Sequence, residues 1–242
     1  MTIRTAQTSP LILARVAGFL YLLTVPLGVF TLLYVPSSLI VSGDAVATTH
    51  NIMASESLFR LGIVSALLGQ IIAILYVLIL YKLLKPVSKD IAALMVVFAL
   101  IGIPMTMLNE FTQLGVLQLL SGADYLTAFT TAQLQALAYL FVRLHSYGIS
   151  IAFIFSGLWL LPLGYLVFKS GFLPRILGVL LIIAGFGYLI DVFAGFLFPG
   201  SNLSIGLFTG LAEIFFLSWL LIKGVNVEQW KKRAVEVNQQ TL

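Results

Sequence analysis

The sequence contains no cysteine. Disulfides, thiolate metal sites, iron–sulfur clusters and cysteine nucleophiles are therefore excluded. Charge is also scarce: only 9% of the 242 residues are Asp, Glu, Lys or Arg, against about 25% in an ordinary soluble domain. There are 2 histidines, with no HExxH and no paired-histidine spacing, so no metal or cofactor site is read from them. Short segments of alternating polarity, the pattern of barrel strands, are missing as well.

What the chain does have is apolar length. Residues of the set AVILMFWYC make up 60% of it. A soluble fold of this size has too little interior to hide that surface. This excludes a water-soluble globular protein, a disordered chain and a nucleic-acid binder. Six apolar runs stand between the charges: about Leu11–Tyr34, Leu58–Tyr81, Ile91–Leu120, a run within Leu134–Phe168, Phe172–Phe198 and Ile205–Ile222. A crossing takes about 20 helical residues. Lipid cannot satisfy an open backbone, so helices are expected. Span one is too long for a signal-peptide h-region, and Val35-Pro36-Ser37-Ser38 is a poor cleavage site, so it reads as a retained helix.

Basic residues set the orientation. Arg4 and Arg15 precede span one. Lys82, Lys85 and Lys89 lie between spans two and three, Lys169 and Arg175 between four and five. Lys223, Lys231, Lys232 and Arg233 follow six. The alternate loops, about Val35–Ser57, Ser121–Gln133 and Pro199–Ser204, hold no Lys or Arg. The expected fold is an all-α, polytopic bundle of six transmembrane helices in the inner (plasma) membrane, with both termini cytoplasmic. Residues 1–224 form one membrane domain and 225–242 a short basic cytoplasmic tail, read chiefly as a topogenic flank.

Several segments, in order, resemble one family. They are Arg15-Val16-Ala17-Gly18-Phe19-Leu20-Tyr21, then Gly43-Asp44-Ala45 with Thr48 and Asn51-Ile52, then Ser57-Leu58-Phe59-Arg60-Leu61-Gly62-Ile63. Gly164-Tyr165-Leu166, Ser170-Gly171-Phe172-Leu173-Pro174-Arg175-Ile176-Leu177-Gly178, Glu213 and Trp219-Leu220-Leu221-Ile222-Lys223-Gly224-Val225 follow. Together they resemble the bacterial membrane-protein family catalogued as domain of unknown function 4386. The resemblance implies a six-helix inner-membrane protein and no activity.

Ionisable groups inside apolar spans cost a few kcal/mol at the bilayer centre and mark functional candidates. Helical rise places Glu110 and Asp191 about 28 Å from the cytoplasmic ends of their spans. It puts Arg60 and His145 near the outer interface, with Arg143 slightly further out. Glu213 lies near the midplane, and Gln70 at similar depth. Asn109 and Gln113 share span three with Glu110. The expected site is one polar cluster of Arg60, Gln70, Asn109, Glu110, Gln113, Arg143, His145, Asp191 and Glu213, with ion pairs between Arg60 or Arg143 and Glu110 or Asp191. Thr106, Glu110 and Gln113 share a face, as do Arg143, Ser146 and Ser150, and Gly187, Asp191 and Gly195. Gly206 and Gly210 stand one turn apart ahead of Glu213. Pro26, Pro104 and Pro162 are expected to kink their helices. Asp44 and Asp124 are expected N-caps of outer helices.

Three functions fit. The first is a membrane protein that binds or transports a small molecule or ion through the polar cluster. The second is a non-catalytic accessory or packing subunit. The third is a membrane enzyme with His145 as general base, oriented by Glu110 or Asp191. The lipid bilayer is the one partner implied; nucleic acid is not. Oligomeric state is left open.

Overall fold

A computed structural model describes residues 9–198 and 205–240. Arg4 and the Pro199–Ser204 loop lie outside them. The described residues are helical with no strand. The chain is a polytopic membrane helix bundle.

Helix α1 (Pro10–Val29) runs through Pro26 into a π-helical turn, Phe30–Tyr34, and on into α2 (Val35–Leu39). Pro36 has no N–H to give Leu32, and its ring crowds the preceding turn, which a widened π turn relieves. The Thr31 hydroxyl donates to Leu27 O at 2.9 Å inside this turn. Helix α3 (Ala45–Ala54) starts at Asp44, whose Oδ1 accepts the Ala47 N–H at 2.8 Å. This is the expected cap.

Then come α4 (Glu56–Leu84), α5 (Lys89–Leu119) and α6 (Thr131–Ser170). Asp124 does not cap α6. It opens a 3-10 turn, Asp124–Leu126, without a side-chain cap bond. The cap is Thr130, in a reciprocal box with Gln133. Gln133 Oε1 accepts the Thr130 N–H at 2.8 Å, and Thr130 Oγ1 accepts the Gln133 N–H at 3.3 Å. At 40 residues α6 is about 60 Å long, twice a hydrocarbon core. Neither Pro104 nor Pro162 interrupts its helix. Helices α7 (Arg175–Leu197), α8 (Gly206–Ile222) and α9 (Val227–Gln240) complete the chain.

Five apolar rods are long enough to cross a membrane: Pro10–Leu39, α4, α5, α6 and α7. Helices α8 and α9 form a bent pair, broken by 99°, that makes up to a sixth. Large apolar side chains such as Leu33, Phe111, Ile183 and Phe215 are exposed along these helices, as lipid-facing surface requires.

The chain divides into two compact units. The first takes residues up to Leu22, Ala73–Gly102 and the chain from Phe153 on. Its interior holds Leu80, Leu83, Met95, Leu160, Leu181 and Phe216. Its tightest seam joins α6 to α7 through glycines seven residues apart on each helix. A Cβ on Gly164 would lie 2.7 Å from Gly178 O, and one on Gly157 would lie 2.8 Å from Gly185 O. Only glycine allows so close a backbone approach. Gly18 sets α1 against α8 in the same way, 2.9 Å from Leu221 N.

The second unit comprises Leu23–Ile72 and Ile103–Ala152. Its core is Val35, Leu39, Ile52, Phe59, Ile63, Val116, Ala138 and Val142. The loop before α3 is tied to α6 by the Tyr139 hydroxyl, which accepts the Gly43 N–H at 2.7 Å.

Candidate functional site

In the second unit, the spacing of Thr106, Glu110 and Gln113 turns these residues inward on α5, while Leu108, Phe111 and Leu114 face out. Glu110 is only 5% exposed. On α6 the inward stripe is Val142, His145 and Ala152. The Arg143, Ser146, Ser150 face expected to be polar and buried is largely exposed, one position out of phase.

His145 meets α5 through both sides of its ring. Asn109 Nδ2 donates to His145 O at 2.9 Å, which fixes the amide orientation because a carbonyl only accepts. The same NH₂ group stands 3.1 Å from His145 Nδ1. Nδ1 is also 3.4 Å from Asn109 O, so it accepts from the amide in one tautomer and donates to the carbonyl in the other. Nε2 is 4.0 Å from Glu110 Oε1. The Thr112 hydroxyl donates to Asn109 O at 2.6 Å and closes the group, 3.1 Å from Nδ1. Gly148 makes this possible, since a Cβ there would collide with the Asn109 amide.

Among the described residues the Glu110 carboxylate has no hydrogen-bond donor and no arginine. One turn on, the buried Gln113 Oε1 also lacks a donor. The expected ion pairs to Glu110 are not formed. Arg60 Nε pairs with Glu56 Oε1 at 2.6 Å, both side chains more than half exposed. Arg143 donates to the Tyr147 hydroxyl at 3.4 Å and lies over that ring, 5.6 Å from its centroid. Each arginine has a partner one helical turn away on an exposed face, which costs less than burying a guanidinium. Gln70 is half-buried and makes no hydrogen bond among the described residues.

Asp191 and Glu213 belong to the first unit. Asp191 Oδ1 accepts the Ile205 N–H at 2.9 Å and so ties down the entry to α8. Glu213 Oε1 accepts the Tyr188 hydroxyl at 2.9 Å, and the Tyr188 ring rests against Phe153. Of the nine expected residues, seven lie in the second unit and Asp191 and Glu213 in the first. Asn109, Glu110 and His145 come together, with Gln113 a turn away. Glu213 has its own donor, and Arg60 and Arg143 face outward. Tyr188 and Thr112 were missed by sequence reasoning, since a hydroxyl on an apolar helix carries no signal until its partner is known. No three His, Asp or Glu side chains converge among the described residues.

Residues 16–224 match the family described as domain of unknown function (DUF4386). The chain belongs to this family. The DUF4386 match begins just after Arg15 and ends at Gly224, so it takes in both units and stops short of α9. An uncharacterized protein of Archaeoglobus fulgidus is 35% identical over 150 residues, covering 60% of this DUF4386 chain and 72% of the relative. No solved structure matches.

Proposed function

We propose that this multi-pass membrane protein binds a small polar ligand, cationic or hydroxylated, at Glu110, Gln113 and His145. One observation carries the reading. The buried Gln113 Oε1 lacks a donor, and one turn away on α5 the Glu110 carboxylate, on a residue 5% exposed, has only His145 Nε2 near it at 4.0 Å, while the His145 ring is held by Asn109. A buried carboxylate is costly unless a cation, a proton or N–H groups neutralise it. A ligand that brings donors or positive charge to α5 and a hydrogen-bond partner to His145 Nε2 supplies what is missing. At 4.0 Å from Glu110, Nε2 stands outside hydrogen-bond reach, which favours binding over a pre-assembled general base.

The setting proposed is a six-span domain over residues 1–224 in the plasma (inner) membrane, with both termini and the tail 225–242 cytoplasmic. Eleven of the 13 Lys and Arg flank one side of that threading. Helix α8, whose 17 residues are at the short end of what a crossing takes, is the sixth span in this reading.

The test is thermal stabilisation of the purified protein by alkali cations, small amines and amino alcohols, followed by uptake into proteoliposomes. A ligand that stabilises the wild type and fails on Glu110→Gln and Gln113→Leu supports the site. Uptake by the wild type alone makes it a carrier. No stabilisation by any of these at any pH removes the reading.

A further inference from the structure

The tail is a built element. Gly224, at φ 68°, turns the chain after α8 in a conformation glycine adopts without strain. Helix α9 then leaves at 99° to α8, so it runs along the membrane surface if α8 crosses. Three bonds pin it to the first unit. The buried Trp230 indole N–H donates to Leu83 O at 2.7 Å, at the end of α4. The Asn226 N–H donates to Phe172 O at 3.1 Å, between α6 and α7. Arg233 donates to Lys169 O at 3.2 Å, near the end of α6. With Val227, Trp230 and Ala234 turned toward the bundle, Lys231 and Lys232 are fully presented to the outside. Neither they nor Lys223 forms an ion pair among the described residues.

Between the end of α8 and the start of α9 lies a cleft of about 430 Å³, lined by Lys223, Trp219, Asn226, Gln229 and Phe172. It is a shallow groove, open along most of its surface. Its walls are mixed. Lys223 and two amide side chains supply charge and hydrogen bonds, while Trp219 and the adjoining Ile222, 69% exposed, continue as apolar surface along α8. Tryptophan beside lysine at a helix end is the composition of a membrane interface.

We propose that this corner binds an anionic phospholipid, with its phosphate at Lys223 beside Asn226 and Gln229, its acyl chains along the exposed face of α8, and Lys231 and Lys232 on the exposed side of α9 adding positive charge. The pinned α9 is then an in-plane anchor that carries Lys231 and Lys232 on its exposed side. The site is separate from the Glu110 site and does not depend on it.

The experiment is native mass spectrometry and thermal melting of the full chain in detergent, titrated with phosphatidylglycerol, phosphatidylcholine or free glycerol phosphate. Phosphatidylglycerol is expected to be retained and to stabilise the protein, and the other two are not. Lys223→Gln alone should weaken retention about fivefold, and Lys223→Gln/Lys231→Gln/Lys232→Gln together about 100-fold. The corresponding triple Lys→Arg variant should retain the lipid. Removing the same charge from the neighbouring end of α4 and start of α5, with Lys82→Gln/Lys85→Gln/Lys89→Gln, should leave retention within about fivefold of wild type. Equal retention of phosphatidylcholine overturns the proposal. So does saturation by glycerol phosphate, which makes the site one for soluble anions. Equal loss in the two triple glutamine variants overturns it too, because a diffuse field would then suffice.

Discussion

The two units hold the acids of their apolar helices differently. In the first, Glu213 has a hydroxyl donor in place, Tyr188 at 2.9 Å, and Asp191 receives a backbone N–H at 2.9 Å. Those acids are engaged in holding α7 and α8. In the second, Glu110 and Gln113 Oε1 lack donors, although Asn109, Thr112 and His145 beside them are linked by hydrogen bonds. A buried polar group that is satisfied reads as architecture, and one left unsatisfied inside a satisfied frame reads as a binding site. The packing differs likewise. The first unit has a glycine seam where backbones touch, and the second a core of aliphatic side chains around Ile52 and Phe59.

The sharpest break in this comparison is Gly164→Val. Its Cβ would lie 2.7 Å from the Gly178 carbonyl oxygen, so a loss of about 3 kcal/mol or more is expected. Thermal melting in detergent checks it, with ligand stabilisation lost only because the fold is lost. Next, Glu110→Gln is expected to weaken the stabilising ligand at least about tenfold, or about 1.4 kcal/mol, at unchanged or slightly higher intrinsic stability. Loss of both together would make Glu110 a structural group. Gly148→Ala drives Asn109 off His145 and should cost about 1–3 kcal/mol together with the ligand response. Tyr188→Phe removes the Glu213 donor and should cost about 0.6–1.7 kcal/mol, with ligand binding intact. If this variant instead abolishes ligand stabilisation, the contrast between the two acids collapses. Smallest of all, Gly195→Ala meets open space and should stay within about 0.5 kcal/mol of wild type.

Much of the fold was legible along the chain. Apolar length located the spans, and Asp44 announced α3 because capping is local. The capping box at Thr130 and Gln133 was equally local, yet Asp124 is the more familiar cap residue and drew attention from it. The α6–α7 seam was not seen. Gly157 and Gly164 repeat every seven residues, but nothing in one helix says that another helix carries Gly178 and Gly185 opposite them. Attention fell on Gly187, Gly195 and Gly210, of which Gly195 and Gly210 touch nothing. The ion pairs failed for a related reason. Helical rise gave the depth of Arg60 and Arg143, but not which way they turn or that a partner sits one turn away on the same helix.

By itself the sequence determined that this chain lives in a bilayer as apolar helices, because transfer free energy adds residue by residue along the chain. Only the tertiary structure decided which of its rare polar groups satisfy one another and which are left over. That outcome depends on how each helix is rotated about its axis, and rotation is set by neighbouring helices far away in sequence.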